Sequence, residues 1–208
     1  MKRKILDVGC GAMPYKFLFT QRGWQYLGMD IENAGADFDY QVENVLRYDG
    51  HTFPLPDGKM DMVFHSEVLE HVYDTAHFLP EYNRVLRPGG TLLFTVPFQA
   101  RYHYIPNDYW RFTPSAMQAL LKTAGFQDIS IFPRGNDLCV AAYKVLTVGY
   151  RLFFSKSWWR MLISMILAPV WILSLLLGQL FLHSGFGSQD DCLGYVVRCE
   201  KPFPAEGI

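Results

Sequence analysis

The sequence lacks the features of a disulfide-bonded, zinc-finger or nucleic-acid-binding protein. It has only four cysteines, Cys10, Cys139, Cys192 and Cys199, with no CxxC pair and no regular spacing. Scattered cysteines of this kind are typical of reduced core residues in a cytoplasmic chain, and they argue against a zinc site or a disulfide framework. The formal net charge of −1 lacks the basic excess that nucleic-acid binding needs. We therefore expect no nucleic-acid partner.

The chain does have enough apolar material for one substantial core. Half of its 208 residues are hydrophobic and 16% are aromatic. This length suits a single domain better than two. We therefore predict one domain over residues 1–208.

A glycine turn near the start is the first motif. Residues 5–8 form an apolar run typical of strands buried on both faces, and Gly9 and Gly11 follow it. Pro14 suits the first turn of a helix, which we place at 15–21. Such a unit brings backbone N–H groups to the carboxyl edge of a parallel sheet, where an anionic or polar ligand can bind. A dinucleotide fingerprint would require a glycine at position 14, so the spacing disfavours an NAD site.

A second strand, 24–30, ends in an acidic residue. Asp30 lies 19 residues beyond Gly11. At an interval of about 20 residues, a carboxylate is placed to accept from both hydroxyls of a ribose. The alternative is an acid that caps the turn after the strand. Glu32 is a weaker candidate for the ribose contact.

Several motifs occur in the order found in one enzyme family. Asp7, Gly9 and Gly11 match its acidic-x-Gly-x-Gly motif, and residues 59–72 match its fourth strand with the turn that follows. Residues 87–94 match the start of its fifth strand. On these motifs, the chain resembles the class I S-adenosylmethionine-dependent methyltransferases of the type 11 group.

The resemblance implies an α/β fold: a Rossmann-like, doubly wound, seven-stranded sheet with an antiparallel last strand. Met13 stands where the family often has a third glycine. The expected elements are an irregular segment at 37–57, a helix that stops at 88–90, a fifth strand at 91–96, a helix at 115–124 capped by Thr113, a sixth strand at 126–132 and the last strand at 193–199.

The resemblance also implies S-adenosylmethionine as cofactor and a set of residues that bind it. Asp30 would hold the ribose hydroxyls, and Asp49 would lie near the adenine amino group. For Asp49 the alternative is a solvated turn residue. The predicted cofactor-binding residues are Asp7, Gly9, Cys10, Gly11, Asp30, Ile31, Asp49 and His65.

The loop after the fifth strand, 97–114, carries the candidate catalytic residues. It resembles a stretch of methyltransferases associated with glycan and cell-envelope functions, and loops at the carboxyl ends of parallel strands carry specificity. We predict His103 as a general base, with His65 as second choice. Asp108, Tyr109 and Arg111 would orient the acceptor, since a guanidinium suits a phosphate or carboxylate.

A metal site is an open alternative in this region. If residues 67–71 are helical, Glu67, Glu70 and His71 share one face and could hold a divalent cation. Ubiquinone O-methyltransferases and small-RNA methyltransferases use a similar triplet, and His103 would be the fourth ligand. The other reading is a helix N-terminus whose acids suit its dipole. We assign no metal ligand from the sequence.

The segment 136–190 is predicted to be an apolar helical insertion before the last strand. Residues 138–189 contain no acid but four cations, and 161–182 contain no charge. That length could span a bilayer, but Pro169 would break the helix, and the last strand must return to the sheet. We favour peripheral membrane contact through 143–183, with homodimerisation or internal packing through the same segment as the alternative.

These observations favour an enzyme that methylates a small-molecule, lipid-linked, isoprenoid or glycan acceptor near a membrane. The predicted location is cytoplasmic, peripheral at the membrane. One alternative is a methyltransferase-like fold that has lost catalysis and acts as a membrane-associated binding subunit. Another is an enzyme of similar sheet order that binds NAD or a nucleotide sugar.

Overall fold

The computed structural model describes residues 2–32 and 45–204, which form a seven-stranded sheet with helices in its crossovers. The strands are β1 Lys4–Val8, β2 Gln25–Ile31, β3 Leu46–Tyr48, β4 Met60–Ser66, β5 Leu86–Pro97, β6 Gln127–Arg134 and β7 Gly194–Glu200. The helices are α1 Lys16–Thr20, α2 Thr75–Val85, α3 Pro114–Thr123, α4 Asp137–Phe153, α5 Trp158–Ile166 and α6 Ala168–Ser184, with a 3-10 turn at Leu69–His71.

The strand order is β3-β2-β1-β4-β5-β7-β6. The pairs β2–β3, β1–β2, β1–β4 and β4–β5 are parallel. The last strand runs the other way, because Gly89 N–H donates to Lys201 O while Lys201 N–H donates to Gly90 O. The Rossmann-like sheet with an antiparallel last strand is therefore confirmed.

The first strand lies at the centre of the sheet, and its apolar side chains are fully buried. Ile5, Leu6 and Val8 are each 0% exposed. A strand between β2 and β4 is covered on both faces, so an unbroken apolar run suits it. This places the glycine turn that follows at the carboxyl edge of the parallel strands.

Several element boundaries differ from the predictions. The helix α2 ends at Val85, and β5 already begins at Leu86, because the Gly89–Gly90 stretch pairs with β7 instead of stopping a helix. The short strand β3 lies inside the segment predicted to be irregular, whose residues 37–44 are outside the described part of the chain. The cap at Thr113 is confirmed, since its hydroxyl accepts from Ala116 N–H.

The described residues form two compact units. The sheet unit comprises the described parts of 1–97, 102–132 and 196–208, and the helical unit comprises 98–101 and 133–195. In the helical unit, Asn136 caps α4 by accepting from Cys139 N–H, and its amide donates to Phe181 O. Gly149 lies against the ring of Trp171, where a Cβ would be 2.6 Å from Cδ2. These contacts tie α4 to α6.

Helices α5 and α6 meet at a bend just before Pro169. Within the described residues, no single helix is long and apolar enough to cross a membrane. The pair Trp158–Ile166 and Ala168–Leu182 passes that test only together, with a bend of 58°. The break predicted from Pro169 is therefore found at Leu167, and the proline lies in the first turn of α6.

Candidate active site

The carboxyl ends of the parallel strands surround a cavity of about 410 Å³ in the sheet unit. Ligands bind at this edge in open α/β sheets. The lining comes from the turns after β1 to β4 and from the loop after β5: Gly9, Gly11, Ala12, Asp30, Ile31, Tyr48, Glu67, Val68, His71, Val72 and Tyr104.

One side of the cavity, the cofactor wall, is formed by Gly9, Gly11, Asp30 and Ile31. The N–H of Gly11 donates to Asp30 Oδ2 at 2.9 Å, and the N–H of Ile31 donates to Oδ1 at 2.9 Å. Gly9 has φ +64°, and a Cβ there would lie 2.5 Å from Cγ2 of Val68. No atom lies within 4 Å of a Cβ placed on Gly11. The backbone at Gly11 is therefore open to a ligand, beside a carboxylate fixed in place.

Backbone strain is concentrated around this cavity. Four described residues other than glycine have a positive φ: Met13, Glu67, Tyr104 and Asp128. Glu67 and Tyr104 line the cavity, and Met13 lies in the turn after Gly11. Such conformations cost about 1–3 kcal/mol each and are typical of functional sites. At Met13, the chain takes a conformation that a glycine would adopt without strain.

Four predicted cofactor-binding residues have side chains that do not line the cavity. Asp7 is buried and accepts from the Tyr26 hydroxyl, and burial raises its pKa to about 7. Cys10 is buried in the core. Asp49 is exposed and accepts from the N–H groups of two following residues, which is the turn role left open above.

His65 lies furthest from its predicted role. Its ring is 0% exposed, stacked between Tyr82 and Phe94 with centroids 5.1 and 4.5 Å away. Neither ring nitrogen has a hydrogen-bond partner, and burial lowers its pKa to about 3. A histidine on β4 alternates to the core face of the strand, so we take it as a core residue and not as a base.

A cluster of Glu70, His71 and His103, the histidine wall, adjoins the cavity through His71, which is the member of the three that lines it. Each offers one ligand atom, and the three atoms lie within 4.8 Å of one another. The helical triplet considered from the sequence is wrong, because Glu67 has φ +56° and only Leu69–His71 forms a turn, of 3-10 type. Glu67 is not among the clustered atoms.

The histidine wall is held by the backbone of the loop that follows β5. The carbonyl of Glu70 accepts from the N–H groups of Tyr109 and Trp110 at 2.8 and 3.2 Å. The indole of Trp110 donates to Val72 O at 2.9 Å, and the ring of His71 bonds through Nδ1 to the carbonyl of Asn107. Two segments that lie far apart in sequence are thereby fixed against each other.

His103 is oriented by the carboxylate of Asp108, which is itself paired with the guanidinium of Arg111. Asp108 pairs with both terminal nitrogens of Arg111 at 2.6 and 2.8 Å, and its Oδ2 lies 3.0 Å from Nδ1 of His103. The Arg111 pair lowers the pKa of Asp108 to about 2. The structure therefore brings together three of the predicted catalytic residues. Tyr109 differs, since its hydroxyl donates to the side chain of Asn107.

Comparison with known proteins finds similarity to methyltransferases. A methyltransferase domain family matches residues 6–94. A probable S-adenosylmethionine-dependent methyltransferase from Mycolicibacterium smegmatis is 30% identical over 136 residues, which are 60% of this chain and 52% of that protein. The match over residues 6–94 and these relatives support a class I S-adenosylmethionine-dependent methyltransferase domain.

Other methyltransferases are similar over part or all of the chain. The malonyl-[acyl-carrier protein] O-methyltransferase of Serratia marcescens is 34% identical over 95 residues, which cover 44% of this chain and 37% of that enzyme. A methyltransferase structure from Archaeoglobus fulgidus matches with a TM-score of 0.59 and 19% identity over 96% of this chain and 86% of that one. The chain spans about half the length or less of these two curated relatives.

Sequence reasoning missed several residues that line the methyltransferase cavity. Tyr48 ends a strand that was not predicted, and Val68 and Val72 flank a turn that was read as helix. Tyr104 lies in the loop identified from the sequence but was not among the residues chosen there. The one available signal was position, since each of them lies at or after the carboxyl end of a parallel strand.

Proposed function

We propose that this methyltransferase binds S-adenosylmethionine against the cofactor wall and transfers its methyl group to an acceptor that enters from the histidine wall. One observation carries the proposal: Gly9, the open backbone at Gly11 and the carboxylate of Asp30 line one cavity, with Asp30 held by Gly11 N–H. A carboxylate in this position can accept from both ribose hydroxyls.

The chemistry required of the protein is mainly alignment. When bound, S-adenosylmethionine supplies a methyl group activated by its sulfonium charge. In the transfer, the S–C bond breaks with its electron pair left on sulfur, a bond forms from the acceptor to carbon, and an oxygen or nitrogen acceptor loses its proton. Gly9 and Gly11 would fix the donor, while Tyr104 and His71 would limit the space for the acceptor and exclude water.

Proton removal would take place at the histidine wall. Asp108 orients His103, and Arg111 holds Asp108, so these two residues position the imidazole instead of touching the acceptor. Because their charges already satisfy each other, we do not expect Arg111 to bind an acceptor phosphate or carboxylate. His103 stays our prediction for the group that acts on the acceptor proton.

Calorimetric titration tests the cofactor assignment. We expect S-adenosylmethionine and S-adenosylhomocysteine to bind with one site per chain, and NAD and nucleotide sugars not to bind. The variant Asp30→Ala should weaken cofactor binding about 100-fold, from the loss of two charge-assisted hydrogen bonds. The matched control is Asp49→Ala, an exposed turn acid. Equal loss in both variants, or no cofactor binding by the wild type, would overturn the assignment.

The acceptor we infer is lipid-linked, and the helical unit supports this. Its apolar side chains are unusually exposed: Trp158 is 74%, Ile166 68% and Leu176 62% exposed. Monomeric proteins rarely leave apolar patches of this kind uncovered. Between α4, α5 and α6 lies a second cavity of about 570 Å³, lined almost entirely by apolar atoms, which suits an acyl or prenyl chain.

Flotation with liposomes tests the membrane contact. We expect the protein to float with vesicles that contain phosphatidylglycerol and to float less with pure phosphatidylcholine, because residues 138–189 carry four cations and no acid. The double variant Ile172→Glu/Leu176→Glu should abolish flotation and leave cofactor binding intact. A protein that sediments and forms a dimer through this surface would contradict membrane contact.

A further inference from the structure

We propose that Glu70, His71 and His103 form a binding site for one divalent transition-metal ion at the acceptor side of the cavity. Three observations in the sheet unit carry this inference: an unpartnered buried carboxylate, two imidazoles held through their Nδ1 atoms, and the closeness of the three ligand atoms. The existence of the site does not depend on the proposed function, although its role in methyl transfer does.

The first observation is the carboxylate of Glu70. Its side chain is 0% exposed, and neither oxygen has a hydrogen-bond partner. A buried polar group without a partner is costly, and a buried charge is more so. Nε2 of His71 lies 3.7 Å from Oε1 of Glu70, which is beyond hydrogen-bond distance. A bound cation would satisfy both oxygens.

The second observation is the orientation of the two imidazoles. His71 bonds to the carbonyl of Asn107 through Nδ1, and a carbonyl only accepts, so Nδ1 carries the proton. For His103, the carboxylate of Asp108 at 3.0 Å favours the same tautomer over the longer 3.5 Å approach of Arg111. In both rings, Nε2 is then the lone-pair nitrogen. Histidine ligands to metals are commonly oriented in this way by an outer carbonyl or carboxylate.

The third observation is the short distance between the three ligand atoms. The types of these ligands also limit the choice of ion. The three ligand atoms lie within 4.8 Å of one another, and ligands about 2.1 Å from one ion lie about 3–4 Å apart. Side-chain rotations that move the ligand atoms by about 1 Å would bring all three within bonding distance of one ion. Two imidazoles and one carboxylate suit Zn²⁺, Fe²⁺ or Mn²⁺ better than Mg²⁺ or Ca²⁺, which prefer oxygen ligands.

The site would change how the acceptor is activated. Three protein ligands leave coordination positions open, and His71 lines the cavity. An acceptor hydroxyl bound to the ion would lose its proton to solvent at a lower pH. With the ion present, His103 would act on the acceptor proton through the ion that it holds, and without the ion it would act directly as a base.

Metal binding by the full chain is the test. The protein is stripped with a chelator and titrated with Zn²⁺, Mn²⁺ and Co²⁺, with calorimetry and the visible absorption of bound Co²⁺ as readouts. We expect one equivalent of ion at micromolar affinity or tighter. Glu70→Gln, His71→Ala and His103→Ala should each weaken binding at least about 100-fold, and Asp108→Asn about tenfold through its effect on His103.

The control is Glu67→Gln, an acid that lines the same cavity but lies outside the cluster. It should leave metal affinity unchanged, so equal losses in Glu67→Gln and Glu70→Gln would overturn the site, as would a wild-type protein that binds no ion. Cofactor titration of the stripped wild type separates the two proposals. Cofactor binding without metal binding refutes the metal site alone, whereas metal binding without cofactor binding refutes the function alone. Circular dichroism confirms that each variant is folded.

Discussion

The cofactor wall and the histidine wall are built by different means. The cofactor wall relies on backbone: Gly11 has open space above it, and its N–H donates to the carboxylate of Asp30. The histidine wall relies on side chains that are oriented by further side chains and carbonyls. The first is built within about 25 residues of sequence, whereas the second joins a turn at 69–72 to a loop more than 30 residues later.

Under the proposed function, this difference separates cofactor binding from methyl transfer. A backbone surface can hold a cofactor with little demand on side-chain identity, whereas a buried cluster of ionisable groups needs every orienting contact. Damage to the cofactor wall should therefore appear as lost cofactor affinity. Damage to the histidine wall should appear as lost turnover.

The largest effect should come from the histidine wall. We expect His103→Ala to lower turnover by about 10²-fold or more, as is typical for loss of a group that acts on the acceptor proton. Its affinity for S-adenosylmethionine should not change, which calorimetry checks beside a methyl-transfer assay. If the affinity for S-adenosylmethionine falls as far as turnover does, the separate roles proposed for the two walls are contradicted.

A smaller effect is expected from the cofactor wall. Gly9→Ala forces a Cβ to within 2.5 Å of Cγ2 of Val68 at a φ of +64°. We expect about a tenfold loss of cofactor affinity and about 1–2 kcal/mol of stability, since an L-residue is strained in this region. The double variant with Val68→Ala should recover part of the loss, because it removes the clash but not the strain. An unchanged affinity in Gly9→Ala would contradict a backbone surface shaped by this glycine.

His65, which belongs to neither wall, should affect only stability and its pH dependence. Burial lowers its pKa from 6.5 to about 3, so the unfolded state binds the proton more readily, and stability is lost as the pH falls below about 6.5. Between pH 7 and pH 5, the wild type should lose about 2 kcal/mol relative to His65→Phe. The raised pKa of Asp7 gives an opposite trend, but both proteins share it. Urea unfolding at the two pH values measures the difference, and identical pH profiles would exclude a neutral buried His65.

The smallest effect concerns the helical unit, which lies outside the comparison of walls. Gly149→Ala places a methyl 2.6 Å from the Trp171 ring, whereas Gly178→Ala meets only the Cβ of Ala142 at 3.2 Å. Alanine gains about 1 kcal/mol of helix propensity over glycine. We therefore expect Gly149→Ala to be destabilised by about 1 kcal/mol and Gly178→Ala to be near neutral in urea unfolding. The reverse order would contradict the packing of α4 on α6.

The cofactor wall was predictable from sequence because its features are local. A run buried on both faces, two glycines and an acid 19 residues later follow directly from strand and turn chemistry, and the structure places Gly9, Gly11, Asp30 and Ile31 along one cavity. The same reasoning failed at Asp7 and His65. Residue type alone does not say which face of a strand a side chain occupies when both faces are buried.

The histidine wall was only half predictable. The loop after β5 was identified by its polar residues, but the pairing of Asp108 with Arg111 was not predicted. The hydrogen bond from Tyr109 N–H to Glu70 O joins residues far apart in sequence, and no sequence pattern indicates it. The turn at Leu69–His71 was read as helix because acids at i and i+3 suit one. The tertiary contacts to the loop outweighed that local preference.

The loop that carries His103 is anchored mostly through main-chain atoms and through Trp110, while Tyr102, Tyr104 and Ile105 are 58%, 58% and 68% exposed. The ring of Tyr104 packs against the rings of His71 and His103, so its exchange would alter the histidine wall as well as the surface of the loop. The loop is suited to acceptor retargeting at the other two positions: a library randomised at Tyr102 and Ile105 would sample new substrate preferences on an unchanged scaffold.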